Sequence, residues 1–448
     1  MNTGYKIYAE VLRGRLEREI DEKKLLGDWQ AGFRRGRRAI DNIYILRQLV
    51  NKELQKKGGK VYTLFLDIKA AFDNVNRKKL WEQMRRQNIK EDLVEALEEV
   101  YDETRCRTKV GVKTGVQFWT TTGVKQGCPL SPSLFSIYIG DLEEVMRGQQ
   151  RGGVVIGRCK VWVLAYADDV AVVAKDESEM RGAIGVLKRY LERKDLRANV
   201  KKTKLMVFQK KRGRRSSEKW WWGEEEIERV EEWRYLGYTL KYNNRDDSHI
   251  RELAKKGNKV LGQVWGIGER VFGKDIQKRK WLFEKLIKSV MVYGAEVWGW
   301  KEWEGLERIQ EKYWKWTMGL DRETPGYIVE EELKLEKLRV QTGRRAVRYE
   351  EEMELRGYNK ILQECWREVK ENRTNWGQEE RQKYYRRGGM AREEVARRRG
   401  DGRSVEVELV MRDKDVQRQE RRAKIREGKY NEKYEGIMVD GIPREEWR

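Results

Sequence analysis

Cysteine and histidine are scarce in this chain, which has four cysteines and one histidine among 448 residues. The cysteines are scattered without a CxxC pair, so structural zinc is not expected and no disulfide framework is indicated. Catalysis by a Ser-His-Asp or Cys-His arrangement is also disfavoured, because its proton shuttle would have to be His249, which lies in the polar stretch DDSHIRE. Any catalysis must therefore rest on carboxylates and metal.

A secretory or membrane-spanning segment is also missing from the sequence. The first residues, MNTGYKIYAE, have neither the apolar core of a signal peptide nor a membrane span. We therefore expect no membrane partner and an intracellular protein, located in the cytoplasm and the nucleus.

Positive charge is abundant. Lys and Arg exceed Asp and Glu by 98 to 75, which gives a formal charge of +23 and a pI near 9.6. Such an excess favours a polyanionic partner bound through its phosphates, and nucleic acid is the first candidate. The alternative is that the basic surface only keeps the protein soluble. The 39% hydrophobic content is sufficient for ordinary cores in two or three domains.

Apolar residues at helical spacing predict two amphipathic helices near the N-terminus. The first carries Ile7, Tyr8, Val11, Leu12 and Leu16, and the second runs from Ile40 to Val50. The segment QAGFRRGR between them suits a loop that approaches phosphates, since basic residues are interleaved with glycine. After Gly58-Gly59, the run VYTLFLDI predicts a buried strand that ends at a carboxylate.

The middle of the chain alternates between helical and β-rich segments. Helices are expected to about Tyr101, followed by a hairpin at 108–122 that turns near Gly115, and KQGCPLSP then leads into a helix at 133–145. The segment VWVLAYADDVAVVA predicts a hairpin with acids at its tip. A helix at 179–192, a strand at 205–208 and a β-rich stretch with a turn at Gly223 follow.

From about Asp246 the apolar residues recur at helical spacing, which predicts a mainly helical second region. After about Gly343, apolar residues become sparse and Arg/Glu mixtures such as AREEVARRRGDGR dominate. This composition is typical of solvated helices or partial disorder, so we expect a weakly packed tail.

Three aspartates in apolar surroundings are the candidates for chemistry: Asp67 after the buried strand, and Asp168 and Asp169 at the hairpin tip. An isolated Asp-Asp pair is more often only a turn. Converging carboxylates, however, repel one another unless hard divalent ions neutralise them, and oxygen ligands favour Mg²⁺. Two such ions about 3.5 to 4 Å apart would serve an in-line phosphoryl displacement.

The segments FLDIKAAFD, VKQGCPLSP, AYADD, NVKKTK and YLGYTL, in this order, resemble the reverse transcriptases of non-LTR, LINE-type retrotransposons over about residues 2–240. QAGFRRGRRAIDNIYIL is similar to the fingers segment of that family, and VYGAEVWGW to the stretch after its thumb. The resemblance implies an α+β, right-hand polymerase fold. Fingers and a palm with an antiparallel sheet would span 1–241, a helical thumb 242–330, and a basic, mainly helical or partly disordered region 331–448.

The resemblance also implies an RNA-directed DNA polymerase that takes an RNA template, a DNA primer and deoxynucleoside triphosphates. Asp67, Asp168 and Asp169 would be the catalytic, metal-binding carboxylates, with two Mg²⁺ ions, or Mn²⁺ in their place. Ile68 would lend its backbone carbonyl. Phe72 would lie under the sugar and collide with a 2′-hydroxyl, although a core phenylalanine is the simpler explanation of an apolar position.

Further roles follow from the same resemblance. Gln126 and Gly127 would lie along the template and the incoming nucleotide, and Leu236 and Gly237 would contact the primer backbone. Lys202 would protonate the leaving pyrophosphate, with Lys201 and Lys204 as alternatives and a surface lysine as the simpler explanation. Arg34 is the first candidate for holding the triphosphate, and Arg35, Arg37 and Arg38 are the others. A rigid loop and an ordinary hairpin are the simpler explanations of the glutamine-glycine and leucine-glycine pairs.

The chain departs from the family because it begins within the fingers-like segment and contains no recognisable nuclease motif or Cys/His knuckle. We therefore expect a 5′-truncated reading frame without its own target cleavage. One competing hypothesis is a catalytically impaired nucleic-acid-binding remnant. Another is an RNA-dependent RNA polymerase. Those enzymes resemble one another in having a Gly-Asp-Asp motif and no aromatic sugar gate, so Ala167 and Phe72 argue against this hypothesis.

Overall fold

A computed structural model describes residues 3–102, 104–211, 218–273, 275–355, 357, 359–371, 376–428, 431 and 434. The chain forms two compact units. The first comprises Met1–Gly237, Lys241–Asn244 and Tyr358–Glu368, and the second comprises Tyr238–Leu240, Arg245–Gly357 and Val369–Arg448. The domain boundaries expected at 241 and 330 stay predictions.

The strands are β1 (Lys60–Leu66), β2 (Arg105–Val110), β3 (Lys113–Trp119), β4 (Val154–Ile156), β5 (Cys159–Val161), β6 (Val163–Tyr166), β7 (Asp169–Ala174), β8 (Lys204–Gln209), β9 (Trp220–Trp222), β10 (Glu225–Val230), β11 (Glu232–Tyr235) and β12 (Tyr238–Lys241). Six of them form the main sheet, in the order β6-β7-β1-β8-β10-β9. The mixture of this sheet with many helices gives the α+β class that the sequence predicts.

The helices of the first unit are α1 (Thr3–Glu22), α2 (Ala39–Gln55), α3 (Arg77–Arg86), α4 (Glu91–Asp102), α5 (Ser131–Tyr138), α6 (Leu142–Gly148) and α7 (Glu177–Arg193). The later helices are α8 (Asp247–Phe272), α9 (Ile276–Leu282), α10 (Lys288–Met291), α11 (Ala295–Trp298), α12 (Glu304–Met318), α13 (Gly326–Glu332), α14 (Leu338–Leu355), α15 (Lys360–Glu371), α16 (Trp376–Arg387), α17 (Arg392–Gly400) and α18 (Glu406–Glu427), with a π-helical turn at Phe283–Ile287. Among the described helices, none is long and apolar enough to cross a membrane.

Strand β1 is the centre of the main sheet, and the strand expected at 61–68 is confirmed. Every residue of β1 after Lys60 is buried. It pairs antiparallel with β7 on one side and with β8 on the other, and both α2 and α7 contact it. A strand with paired edges and helices packed against it accommodates a continuous apolar run such as VYTLFL.

Helix α1 forms as expected, but its buried face differs from the predicted one. Ala9, Leu12, Leu16 and Ile20 are buried, whereas Ile7, Tyr8 and Val11 are 62%, 48% and 51% exposed. The buried residues and the exposed apolar residues both fit a helical repeat, so periodicity alone could not decide which face of α1 would pack against the core.

The hairpin after α4 turns at a different place from the predicted one. Val110 pairs with Lys113, so the turn is Gly111-Val112, and Gly115 lies inside β3. Gly111 has φ +60, a left-handed conformation that glycine adopts at little cost. The turn expected near Gly115 is therefore wrong, because the strand register, which the local sequence does not fix, places it four residues earlier.

The helix expected at 133–145 is divided into α5 and α6. Gly140 lies at the break, and a side chain there would come within 3.2 Å of Leu26 Cδ2. Pro132 is in the first turn of α5, where its missing N–H costs nothing. The glycine therefore permits a close approach that a continuous helix with a larger residue would prevent.

His249, the single histidine, is a core residue of the second unit. Its ring is 1% exposed and stacks on Tyr238 at 3.8 Å between ring centroids. Nδ1 accepts from the Thr239 backbone N–H at 3.2 Å, so the ring proton is on Nε2, which lies 3.1 Å from the Tyr293 carbonyl oxygen. Both ring nitrogens therefore make contacts with the backbone of the core.

The C-terminal region has a packed core in its described part, rather than the weak packing that its composition suggests. Its buried cluster consists of Trp300, Ala346, Val347, Tyr384, Tyr385, Met390, Val395, Val405 and Leu409. Next to this cluster, Glu350 is 1% exposed and accepts hydrogen bonds from Arg381 Nε at 2.6 Å, Arg399 Nη1 at 3.0 Å and the Tyr385 hydroxyl at 3.1 Å. Arg/Glu mixtures here form buried pairs as well as solvated surfaces.

We expect Glu350→Ala to lower the free energy of unfolding by about 3 to 5 kcal/mol, because it leaves two buried guanidinium groups without their carboxylate. Chemical denaturation would measure this loss. Glu379→Ala is the matched control, since Glu379 is 77% exposed in its pair with Lys383 and should contribute less than about 1 kcal/mol. Equal stability of the two variants would contradict a supporting role of the buried pairs.

Most of α15, up to Glu368, belongs to the first unit together with Asn359. Its Glu364 and Glu368 side chains accept hydrogen bonds from the backbone N–H groups of Arg158 at 3.0 Å and Gly157 at 2.7 Å. Gly157 and Arg158 form the turn between β4 and β5. Cys365 is completely buried on the same helix. A segment from the C-terminal region is therefore part of the unit that contains the main sheet.

Candidate active site

The hairpin of β6 and β7 places acids at its tip, as expected. Tyr166 pairs with Asp169, so Ala167 and Asp168 form the turn itself; we call residues 166–169 the aspartate turn. Ala167 has φ +60, a left-handed conformation that is uncommon for alanine. Backbone strain of this kind is concentrated at functional sites.

The register of the main sheet brings Asp67 to the aspartate turn. The last pair between β1 and β7 is Leu66 with Val170. Continuing this antiparallel register by one residue places Asp67 opposite Asp169, on the same face of the sheet. Carboxylates about a hundred residues apart in the sequence are thus assembled at one edge by strand pairing.

The three carboxylates are less buried than the apolar sequence around them predicts. Asp67 and Asp168 are half-buried, and Asp169 is exposed. Partial burial and the nearby charge of Asp67 nevertheless raise the pKa of Asp168. Desolvation, followed by the charges of Asp168 and Asp67, raises the pKa of Asp169. The carboxylates therefore lie close enough to repel one another, which a bound cation would relieve.

The backbone around Asp67 is held by the segment that leads into β8. Its N–H donates to Thr203 Oγ1 at 3.2 Å, and its carbonyl accepts from the Asn199 N–H at 2.8 Å. The Asn199 bond and a second one, from the Lys69 N–H to the Arg197 carbonyl at 2.8 Å, flank an antiparallel bridge between Ile68 and Ala198. In such a bridge the neighbours of the central residue make the hydrogen bonds, so the Ile68 carbonyl points away from Ala198. That direction suits the role of a metal ligand expected for Ile68.

The donor set fits a hard cation. Within the described ranges, no three His, Cys, Asp or Glu side chains converge closely enough to enclose a metal ion by themselves. Mg²⁺ does not require such an enclosure, because it is commonly held by one or two carboxylates together with substrate phosphates and water. The mutual repulsion of the aspartates and the direction of the Ile68 carbonyl are the features that favour a cation here.

Phe72 lies between the core and the surface. Its ring is half-buried and packs on the buried Phe135 ring at 5.0 Å between centroids. Its carbonyl accepts from the Val124 N–H at 2.8 Å. The contact with Phe135 supports the core interpretation, while the incomplete burial leaves part of the ring accessible to a substrate. The sugar-gate role stays a prediction.

Gln126 and Gly127 are exposed. The Gln126 amide donates to the Asp73 carboxylate at 3.1 Å. Gly127 has φ +76, so the backbone conformation itself favours glycine. This pair forms an exposed turn shortly before α5, and its contact with template and nucleotide stays a prediction.

Three of the four candidate arginines, Arg34, Arg35 and Arg37, have different environments. Arg34 is half-buried, and its Nη1 donates to the carbonyls of Gly27 at 2.7 Å and Gln30 at 3.1 Å. Burial lowers the pKa of Arg34. Arg35 is exposed, and Arg37 forms an ion pair with Asp28 at 2.5 Å. Arg34 is therefore held against its own loop, although a guanidinium has further N–H donors for a phosphate.

The structure separates the three lysines that the sequence left as alternatives. Lys204 Nζ donates to the Glu228 carboxylate at 2.7 Å and to the Lys201 carbonyl at 2.6 Å. Lys201 and Lys202 are exposed. Because the Lys204 ammonium group already donates to these two acceptors, we favour Lys201 or Lys202 as the predicted proton donor.

Leu236 and Gly237 form the two-residue turn between β11 and β12. Their φ angles are +46 and +81, the pattern of a type I′ turn, in which both central residues are left-handed. A left-handed leucine is a backbone outlier. The predicted primer contact thus falls on a turn with a strained, defined conformation.

Gln30 is a residue of the site that the sequence analysis missed. Its side chain is completely buried and is hydrogen-bonded to the backbone of Ala167 in the aspartate turn. The segment QAGF had been interpreted only as part of a phosphate-approaching loop. The signal that could have found Gln30 is a polar amide placed directly before the small residues Ala31 and Gly32.

Residues 1–240 match the family described as "Reverse transcriptase (RNA-dependent DNA polymerase)". This match covers more than half of the chain, so the chain belongs to the reverse transcriptase family. The sheet that carries the carboxylates is accordingly the palm of a right-hand polymerase fold, as the sequence predicted.

Relatives place the chain among the non-LTR retrotransposon polymerases, which confirms the resemblance stated from the motifs. It is 28% identical over 164 residues to the "Retrovirus-related Pol polyprotein from type-1 retrotransposable element R2" of Popillia japonica, covering 36% of this chain and 27% of the relative. It is 22% identical over 313 residues to the "Probable RNA-directed DNA polymerase from transposon BS" of Drosophila melanogaster, covering 68% and 34%. The chain thus spans only about a quarter to a third of the length of these relatives.

Among solved structures, an apo telomerase from Candida tropicalis is similar over 80% of this chain and 61% of its own, with 10% identity and a TM-score of 0.42.

Proposed function

We propose that the chain is an RNA-directed DNA polymerase that extends a primer 3′-hydroxyl with deoxynucleotides during retrotransposon cDNA synthesis. The observation that carries this proposal is the strand register, which pairs Leu66 with Val170 and, continued by one residue, brings Asp67 to the aspartate turn, in a chain that belongs to the reverse transcriptase family. The proposed partners are an RNA template, a DNA primer and deoxynucleoside triphosphates. The proposed location is the cytoplasm and the nucleus.

Asp67, Asp168 and the Ile68 carbonyl would hold two Mg²⁺ ions, with Asp169 beside them. When bound, these ions supply activation of the attacking hydroxyl and charge neutralisation at the triphosphate. The chain would contribute fixed positions for these ligands, since strand pairing and the contacts of Asn199 and Thr203 hold the backbone at Asp67. Such preorganisation is the main contribution of a protein to phosphoryl transfer.

The surrounding residues would bind and orient the substrates. Phe72 would exclude a 2′-hydroxyl, and Gln126 with Gly127 would lie along the template and the nucleotide. Arg34, or the exposed Arg35, would bind the triphosphate. One of the exposed lysines, with Lys202 first, would donate a proton to the leaving pyrophosphate.

The remaining contacts would be made to the primer and to the nucleic-acid backbones. Leu236 and Gly237 would contact the primer backbone. The net charge of +23 supports binding to phosphates along both strands.

The purified chain with Mg²⁺, an RNA template, an annealed DNA primer and deoxynucleotides should extend the primer, as observed on a denaturing gel. A metal chelator should stop the reaction, because the carboxylates cannot replace the charge of the ions. A folded chain that binds the primed template but adds no nucleotide, with either Mg²⁺ or Mn²⁺, would instead favour the nucleic-acid-binding remnant.

A further inference from the structure

The aspartate turn is held by a side chain from another part of the first unit. Gln30 is completely buried, and its Oε1 accepts from the Ala167 N–H at 3.1 Å while its Nε2 donates to the Ala167 carbonyl at 3.4 Å. Oε1 also accepts from the Gly32 N–H at 3.0 Å. One amide group therefore contacts both backbone polar groups of Ala167, the residue before Asp168.

The backbone on either side of Gln30 is fixed to the strand that leads into the turn. The Ala31 N–H donates to the Ala165 carbonyl at 2.9 Å, and the Ala165 N–H donates to the Trp29 carbonyl at 2.8 Å. Asn42 Nδ2 donates to the same Ala165 carbonyl at 2.9 Å. Residues 29–32, which we call the glutamine loop, thus form a parallel bridge to β6.

Gly32 brings the glutamine loop into direct contact with the turn. A Cβ atom added at Gly32 would lie 2.2 Å from the Ala167 backbone nitrogen, which is far inside van der Waals contact. The missing side chain is therefore a condition for the observed position of the turn, and Gly32→Ala would displace the glutamine loop or the turn.

Ala167 needs this support because its φ of +60 is disfavoured for a residue with a Cβ atom. A strained backbone conformation persists only when its surroundings determine it. The two hydrogen bonds from Gln30 are directed at Ala167 itself, so they fix the orientation of the peptide groups that lead to Asp168.

We propose that Gln30, together with Gly32, is a positioning residue that sets the aspartate turn and thereby the place of the Asp168 carboxylate relative to Asp67. The proposal rests on the proposed function, since it concerns the carboxylates of that reaction. It goes further, because it assigns to the glutamine loop a role in the chemical step rather than in phosphate binding alone.

Gln30→Met tests the proposal, because methionine keeps the approximate length and volume of the side chain and removes all three hydrogen bonds. We expect kcat for primer extension to fall by about 10- to 100-fold, as for other small displacements of catalytic groups. The KM for deoxynucleotide should change by less than about threefold, since Gln30 contacts the turn and not the substrate. The Mg²⁺ concentration for half-maximal activity should rise.

Gln417→Met is the matched control. Gln417 on α18 is also buried, 3% exposed, and its amide likewise accepts from a backbone N–H, that of Lys337 at 3.2 Å, and donates to a backbone carbonyl, that of Leu335 at 3.1 Å. Gln30→Met removes three hydrogen bonds to the backbone and Gln417→Met removes two of the same kinds, so thermal unfolding should show losses of stability of the same order. Only Gln30→Met should change kcat and the Mg²⁺ requirement.

Gly32→Ala provides a second variant that keeps the glutamine and disturbs the same contact sterically. It should also lower kcat and raise the Mg²⁺ requirement at a temperature where circular dichroism shows the variant to be folded. If wild type extends primers and both variants are folded with the kcat and Mg²⁺ dependence of Gln417→Met, the positioning role is wrong. If wild type itself extends no primer, the failure lies with the proposed function.

Discussion

Asp168→Asn should reduce the rate of primer extension by about a thousandfold or more, because a neutral amide could not replace the carboxylate that we propose as a ligand of the catalytic ions. Asparagine is the suitable replacement, since it has nearly the size of aspartate and leaves the turn its polar side chain. Single-turnover extension on a primed RNA template would measure the loss.

The stability of the Asp168→Asn protein should move in the opposite direction from its activity. Partial burial and the charge of Asp67 raise the pKa of Asp168, so without bound ions the ionised carboxylate costs stability at every pH above its unfolded-state pKa. At neutral pH, removing the charge should leave the melting temperature unchanged or higher. A variant that loses activity through unfolding would show the reverse.

Asp92→Asn is the control for this experiment, since Asp92 is exposed on α4 and lies outside the candidate site. Its extension rate should equal that of the wild type. Retention of more than about a tenth of the activity by Asp168→Asn would contradict its assignment as a metal ligand.

Phe72→Val should weaken the discrimination against ribonucleotides by about 10- to 100-fold, measured as the ratio of kcat/KM for deoxynucleotides to kcat/KM for ribonucleotides. The reason is steric: the exposed part of the ring would occupy the space of a 2′-hydroxyl, and valine is smaller. Rates with deoxynucleotides should change less, because the substitution leaves the carboxylates in place.

Loss of the contact with Phe135 will also cost some stability, so a control must share that cost. Phe208→Val on β8 removes a completely buried ring of the same unit without touching the predicted nucleotide site. It should be destabilised with its nucleotide discrimination intact. An unchanged ratio for Phe72→Val would leave Phe72 as an ordinary core residue.

The elements that could be predicted from the sequence are those in which one local pattern has one structural solution. The apolar run before Asp67 is long enough only for a buried strand, and the two β-rich runs around Asp168 can pair only as a hairpin. The long run of apolar residues at helical spacing that begins near Asp246 likewise specifies α8. Strand pairing then assembles the carboxylates, so the centre of the candidate site followed from the same patterns.

Other features depend on contacts between segments that the local sequence does not encode. The exposure of Ile7 and the burial of Ala9 are decided by what packs against α1. Glu350 has the same local composition as solvated glutamates and differs only in its three buried partners. Gln30 was missed for the same reason, because its significance lies in reaching Ala167 across a separation of 137 residues.

The place of residues 359–368 in the first unit has a consequence for the order in which the protein matures on the ribosome. The palm strands are synthesised well before this segment. Until the segment is made, the β4–β5 turn of the nascent chain lacks its two glutamate acceptors. Domains generally fold as units during synthesis. Translation that stops before Cys365 would thus release a first unit that is incomplete in its fold, even though Asp67, Asp168 and Asp169 had already been made.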